Sequence, residues 1–266
     1  ARERFESVRS SATDLSDELV DTSETATLSS LLGDRLPPQL RTQGFVRLDD
    51  QFVNRRSPLS PAVSYRAGLG LPEVLDGQSI DRFDDSGSLT ERVIDRLRTE
   101  TSVAVLGPPG SGKSTLCKRV ATEWLESDYG SVFYREATDP EPFDAVGALE
   151  RVIERAPGPT LVVVEDAVRR EASRIFEVLE TCADHEDVVF LLDARESEWQ
   201  EPLVASVSAR VEAFRRDAVE TVTMPAFDER ECRRLIDRLT EATETDVEIP
   251  VGELLDSATS HAPTAP

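Results

Sequence analysis

Lysine is nearly missing from this chain. Of its thirty basic residues only Lys113 and Lys118 are lysines, and the other 28 are arginines. Histidine is as scarce, with His185 and His261 standing alone. Neither has a partner at ligand spacing, so a zinc site or a Ser-His-Asp triad has no candidates. Both read as surface histidines. The cysteines, Cys117, Cys182 and Cys232, are odd in number and far apart, with no C-x-x-C spacing. That usage argues against a disulfide framework and a thiolate metal site, and predicts a reducing, cytoplasmic setting. No apolar run approaches the roughly 20 residues of a membrane helix. The charged start, Ala1 to Phe5, is not followed by an apolar stretch, so no secretion signal is expected. Ala1 is not a start methionine, and the expectation is a fragment.

Acid is what the chain has in excess. Asp and Glu number 52, and the formal net charge is −22. Such a surface repels a polyanion, so nucleic acid is not an expected partner. Arg41, Arg47, Arg55 and Arg56 form a modest basic cluster, but Asp49 and Asp50 interleave with it, and a solvated loop is the better reading. Hydrophobic residues make up 39% of the 266, enough for a core in one large domain or two modest ones. Few lysines, many acids and 6% aromatics resemble the proteins of halophilic archaea. An acidic surface stays hydrated where salt screens its self-repulsion.

Three regions differ in pattern. Residues 1–78 read as an N-terminal extension, polar at first and then irregular and proline-bearing. Residues 79–225 carry five short apolar runs: Ser102–Leu106, Ser131–Tyr134, Leu161–Val164, Val188–Leu192 and Glu220–Met224. Helical stripes alternate with them. Leu89, Val93, Ile94 and Leu97 form one; Phe143, Val146, Leu149 and Ile153 another; Val168, Ala172, Ile175, Phe176 and Leu179 a third; Leu203, Val207, Val211 and Phe214 a fourth. The alternation predicts an α/β fold with a parallel five-stranded sheet between helices. Residues 226–266 carry a last helix. It begins near Asp228, which has capping-box spacing to Glu231, and buries Cys232, Leu235, Ile236 and Leu239.

One motif carries chemistry. Gly107-Pro108-Pro109-Gly110-Ser111-Gly112-Lys113-Ser114-Thr115 fits G-x-x-x-x-G-K-[ST]. Its glycines let backbone amides approach phosphate oxygens, and a helix N-terminus adds partial positive charge. Lys113 would reach the β- and γ-phosphates, Ser114 would ligate Mg²⁺, and Thr115 would contact the α-phosphate. A strand runs into the loop and a helix runs out, the context a phosphate-binding loop requires.

Two more strands end in polar residues. Leu161–Val164 runs into Glu165 and Asp166. By position Glu165 takes the metal role and Asp166 the base that activates water, an order inverted from the usual Asp-Glu. The alternative is that both merely cap a following helix. Val188–Leu192 runs into Asp193, Ala194, Arg195 and Glu196. Carboxyl ends of parallel strands line the ligand crevice, so Asp193 would sit by the γ-phosphate. Arg195 would either sense that phosphate or pair locally with Glu196 or Glu198.

From about residue 80 onward the chain resembles the STAND branch of the AAA+-related P-loop NTPases. The resemblance rests on Arg82 before the first helix, the GPPGSGKST loop, the strand ending in acids, the strand ending in Ala-Arg-Glu, and Pro225-Ala-Phe-Asp before an amphipathic helix. It implies that Arg82 lies near the nucleotide, and that residues 226–266 are the start of a helical lid, truncated. It also implies ATP or dATP binding with Mg²⁺ as a conformational switch in signalling or defence, with a protein effector or sensor as partner. AAA+-like sites often take an arginine from a neighbouring copy, which implies a homo-oligomer. Arg210, Arg215 and Arg216 are candidates by location. A nucleotide-gated module with negligible hydrolysis is the first alternative. A GTPase is disfavoured because no Asn-Lys-x-Asp occurs, and a small-molecule kinase by the long segment ahead of the loop.

Overall fold

The computed structural model describes residues 36–48, 63–64, 68–137, 141–200, 212 and 219–243. The chain divides into two units, Ala1–Pro37 and Pro38–Pro266, and every element named below belongs to the second.

The fold is α/β. Helix α1 (Pro38–Arg41) leads to strand β1 (Phe45–Leu48), and the short helix α2 (Leu71–Leu75) follows. A two-stranded ribbon, β2 (Phe83–Asp84) and β3 (Gly87–Ser88), opens into α3 (Leu89–Leu97). Ser88 caps α3, its hydroxyl accepting the Glu91 amide at 3.2 Å. Strand β4 (Ser102–Leu106) feeds α4 (Lys113–Glu126), then β5 (Ser131–Arg135), α5 (Val146–Arg155), β6 (Thr160–Val164), α6 (Ile175–Thr181) and β7 (Val188–Ala194). The short α7 (Glu196–Gln200), β8 (Glu220–Thr223) and α8 (Glu229–Thr243) complete the described chain.

The main sheet has the order β1-β5-β6-β7-β4-β8. Five strands are parallel, at the five apolar runs seen in the sequence. Strands β4 and β6 are buried throughout, as expected of parallel strands covered on both faces. Burial of each valine or leucine there contributes about 1.5–3 kcal/mol.

A sixth strand was not expected. Phe45–Leu48 lies in the segment read as irregular, yet it pairs antiparallel with β5. Four residues with one exposed apolar side chain, Val46, carry too little periodicity to announce a strand. What holds it is tertiary: Phe45 packs edge-on to Phe143 at 5.1 Å, and the Gln43 carbonyl accepts the Arg135 Nε at 3.0 Å.

The helical stripes differ in how fully they are covered. Leu89, Val93, Ile94 and Leu97 are buried as expected. The third stripe is buried, but its first residues belong to turns, and helix α6 begins only at Ile175. The fourth stripe, Leu203 to Phe214, lies outside the described residues, as do Arg210, Arg215 and Arg216. In α8 only Cys232 of the expected stripe is buried, while Leu235, Ile236 and Leu239 are half-buried. The capping box at its start is formed. The Glu231 amide donates to Asp228 Oδ1 at 2.6 Å and the Asp228 amide to Glu231 Oε2 at 3.3 Å.

Candidate nucleotide site

The loop between β4 and α4 is shaped by its glycines. Gly112, the N-cap of α4, sits at φ +88°, a conformation that other residues adopt at a cost. Gly107 is held by proximity instead. A Cβ there would lie 2.9 Å from both Met224 Cβ and Ser111 Oγ. Met224 is itself positioned by its amide, which donates to the Leu106 carbonyl at 2.7 Å. The β8 end thus closes down on the first glycine of the loop.

Lys113 is mostly buried, and its ammonium donates to the Pro108 carbonyl at 3.0 Å. An ammonium has three donors, and Pro108 takes one. Pro109 and Gly110 are exposed at the rim of the loop, and Pro108 and Thr115 are half-buried. Ser111 is buried, and its hydroxyl has no hydrogen-bond partner among the described residues. A turn of backbone amides with an orphaned hydroxyl and a cation, leading into a helix of 14 residues, fits the oxygens of a phosphate chain.

Asp193 is the hub of the site. Its Oδ2 accepts the Ser114 hydroxyl at 2.9 Å, and its Oδ1 accepts the Asp166 amide at 2.7 Å. Its own carbonyl accepts the Ala167 amide at 2.9 Å. One carboxylate therefore joins the phosphate-loop helix to the turn after β6. Strand order explains this. Strand β7 lies between β4 and β6, with Asp193 opposite Val105. Burial pushes the Asp193 carboxyl up to about 6, and the charges of Glu165 and Asp166 add to the rise. The bonds from the Asp166 amide and Ser114 oppose it.

Stability depends on this proton. The carboxyl binds it more tightly folded than unfolded, so its contribution is most favourable at low pH and is lost as pH rises through about 6. At neutral pH the buried charge opposes folding by on the order of 2–3 kcal/mol. Asp193→Asn keeps an acceptor for the Asp166 amide and can donate to Ser114. In the nucleotide-free chain it is expected to melt several degrees above wild type at pH 7.5, with the difference shrinking toward pH 5. Paired thermal melts in one salt buffer check this; an equal difference at both pH values would show that Asp193 does not titrate there.

Glu165, the residue expected at the metal, makes its described contacts within the protein. It is buried, and both oxygens are occupied by the protein. Oε1 accepts the Tyr134 hydroxyl at 2.6 Å and lies 3.4 Å from the Lys118 ammonium, and Oε2 accepts the Ala137 amide at 3.0 Å. Burial and the Glu165 charge raise the Tyr134 phenol well above its usual range, so it stays a donor. Among the described residues the carboxylate bonded to Ser114 is that of Asp193, not Glu165. Lys118 also donates to the Leu69 carbonyl at 3.0 Å and pairs with Glu136 at 3.4 Å. Both lysines of the chain thus act around this site. Tyr134 and Lys118 were missed by the sequence reading. The only available signals were the rarity of lysine and a polar atom at the end of an apolar run.

Asp166 turns at φ +48°, in the left-handed region that Asp visits more readily than most residues. The turn presents its side chain beside the strand ends, half-buried and 3.2 Å from Arg169. Arg169 approaches Glu198 at 3.8 Å, and Arg195 pairs with Glu198 at 3.6 Å. Of the two readings of Arg195, the described contacts include the local pair.

Arg82 is buried and fully engaged. Its Nε donates to Glu231 Oε1 at 2.8 Å, Nη1 to the Ser111 carbonyl at 2.6 Å and Nη2 to the Pro225 carbonyl at 2.8 Å. The Phe227 ring lies 3.7 Å from its guanidinium carbon. Arg82 thus stands against Ser111 and Gly112 of the loop, although Ser111 is 29 residues away in sequence.

Residues 69–203, half of the chain, match the family described as Novel STAND NTPase 5. The chain belongs to that family. This STAND NTPase is also similar to solved structures at low identity. AMPPCP-bound DnaA from Aquifex aeolicus is 17% identical over 64% of this chain and 53% of that one, with a TM-score of 0.43. PCH-2 from C. elegans is 18% identical over 63% of this chain and 50% of that one, at 0.41. A RuvB variant from Thermotoga maritima is 16% identical over 64% and 53%, at 0.40. The chain thus spans about half the length of each. No curated protein matches it. No described helix of this STAND NTPase is long and apolar enough to cross a membrane.

Proposed function

We propose that the chain binds ATP with Mg²⁺ at Gly107–Thr115 and hydrolyses it slowly, as a conformational switch in signalling or defence. The observation that carries this is the Asp193 carboxylate, which joins Ser114 of the loop to the Asp166 turn. Ser114 and Asp193 are assigned to hold the metal, in place of Ser114 and Glu165. When bound there, Mg²⁺ would supply positive charge to offset that of the phosphates. Lys113 turns from the Pro108 carbonyl to the phosphate oxygens. Asp166 is assigned to accept a proton from the attacking water, and Arg195, two residues after Asp193, to join the γ-phosphate when released from Glu198. Glu165, held by Tyr134, Lys118 and the Ala137 amide, positions the turn that carries Asp166.

One observation favours the alternative, a nucleotide-gated module with negligible hydrolysis. Both acids after β6 have partners in the described structure: Glu165 is enclosed, and Asp166 is paired with Arg169. Both readings share the same nucleotide. The chain is expected to prefer ATP over GTP at least tenfold in competition. Displacement of a bound ATP analogue by each nucleotide, with Mg²⁺ in molar-range KCl, checks the preference; a preference for GTP overturns it. The high salt is chosen for the net charge of −22. A homo-oligomer, a cytoplasmic setting, a halophilic archaeal origin and a protein effector or sensor remain parts of this proposal.

A further inference from the structure

Three groups that sequence separates meet around one guanidinium. Arg82 follows the short segment before α3, Ser111 belongs to the phosphate loop, and Glu231 lies in the first turn of α8. The Arg82 backbone is itself fixed, its carbonyl accepting the Leu89 amide at 2.8 Å. Asp81 beside it accepts the Thr90 hydroxyl at 2.8 Å and lies 3.7 Å from Arg119 of α4. The arginine therefore projects from a pinned base.

Glu231 is as constrained as Arg82. Its Oε1 accepts Arg82 Nε and, at 3.1 Å, the Phe83 amide, while Oε2 closes the capping box with Asp228. Arg234 lies 3.9 Å from Oε1 and stacks over Phe83 at 4.9 Å. Both partners of the ion pair are buried. A buried pair of this kind is costly to break on one side, because the remaining charge is left uncompensated. A planar guanidinium can bind three differently directed acceptors at once, which an ammonium cannot do with the same geometry.

We infer that Arg82 is a positioning residue that fastens the phosphate loop to the start of α8, so that Glu231, which touches no loop residue, tunes nucleotide affinity through it. The coupling runs Glu231 to Arg82 Nε, then Arg82 Nη1 to the Ser111 carbonyl. Nη2 holds the Pro225 carbonyl and keeps the connection from β8 to α8 in register with the loop. The nucleotide arm of this inference rests on the proposed function; the mechanical arm does not.

The test uses the full chain in molar KCl and five proteins besides wild type. These are Glu231→Gln, Arg82→Gln, Arg82→Lys, the double variant Arg82→Gln/Glu231→Gln, and Arg238→Gln. Arg238 bonds the Gly77 carbonyl and Glu241 from the same helix, and neither partner belongs to the loop, so its loss loosens α8 elsewhere. Without nucleotide, Glu231→Gln is expected to speed exchange of the Gly107 and Gly110–Lys113 amides at least tenfold, and Arg238→Gln to leave it unchanged. Calorimetric titration with Mg-ATP is expected to show a tenfold weaker Kd for Glu231→Gln. The double variant should be no weaker than Arg82→Gln, because the two act as one unit. Arg82→Lys keeps charge but not the fork, and should resemble Arg82→Gln; it serves where Arg82→Gln does not fold. Unchanged loop exchange in Glu231→Gln overturns the inference, as do additive losses in the double variant. Faster loop exchange in a wild-type background that binds no ATP upholds the fastening and removes the nucleotide reading instead.

Discussion

Lys113→Ala is expected to reduce Mg-ATP turnover on the order of 10²–10³-fold, the usual loss when one charge-stabilising donor is removed from a reacting centre. Lys113 is one of two lysines in the chain, and the other is committed to Glu165, Glu136 and the Leu69 carbonyl. Lys118 is therefore in no position to substitute. The Lys113 ammonium rests on Pro108 of the same loop, so its movement to a phosphate requires only a side-chain rotation. Lys113 is buried, and shortening it also removes packing. Lys113→Met, which keeps most of the stem, separates the two effects. Turnover should fall by about the same factor in both variants while the methionine variant retains the wild-type melting temperature within a few degrees. Turnover at the wild-type rate in Lys113→Met places the activity outside Gly107–Ser114.

Asp166→Asn is expected to leave Mg-ATP affinity within about twofold and to lower turnover by about 10²–10⁴, the range of a general base. The substitution is unusually clean. Asn tolerates the left-handed backbone at φ +48° as well as Asp does. The bond to Asp193 comes from the Asp166 amide, so the hub stays formed. What is lost is a proton acceptor and a partially exposed pair with Arg169, and such pairs contribute about 0–1 kcal/mol. Single-turnover hydrolysis beside equilibrium binding distinguishes chemistry from affinity. Unchanged hydrolysis removes Asp166 from the base role. Undetectable hydrolysis in the wild type, with ATP tightly held, leaves the nucleotide-gated module.

The two substitutions divide the site by function. Lys113 acts on the phosphates in both readings, whereas Asp166 matters only where water is activated. A chain in which Lys113→Met loses ATP binding and Asp166→Asn changes nothing would be a switch driven by nucleotide occupancy alone. The contacts of Arg169 with both Asp166 and Glu198 then become the natural place to look for what holds the switch still.

Local chemistry sufficed for much of this protein. Strands β4, β5, β6 and β7 stand at apolar runs, because a strand buried on both faces must be apolar along its length, whereas the edge strand β8 buries only Val222 and is held by its pairing with β4. The glycine-rich turn into α4 and the Asp228–Glu231 cap were legible because each is built within a few residues. Nonlocal geometry decided the rest. Which acid meets Ser114 depends on strand order: β7 adjoins β4, and β6 is one strand farther, so Asp193 reaches the loop helix while Glu165 turns to Tyr134 and Lys118. The edge strand at Phe45–Leu48 exists because β5 offers it a ladder and Phe143 a ring. Glu231 announced a helix cap in the sequence, but its bond to Arg82 spans 149 residues, and no periodicity or spacing encodes a pairing that only the packed fold brings within 2.8 Å.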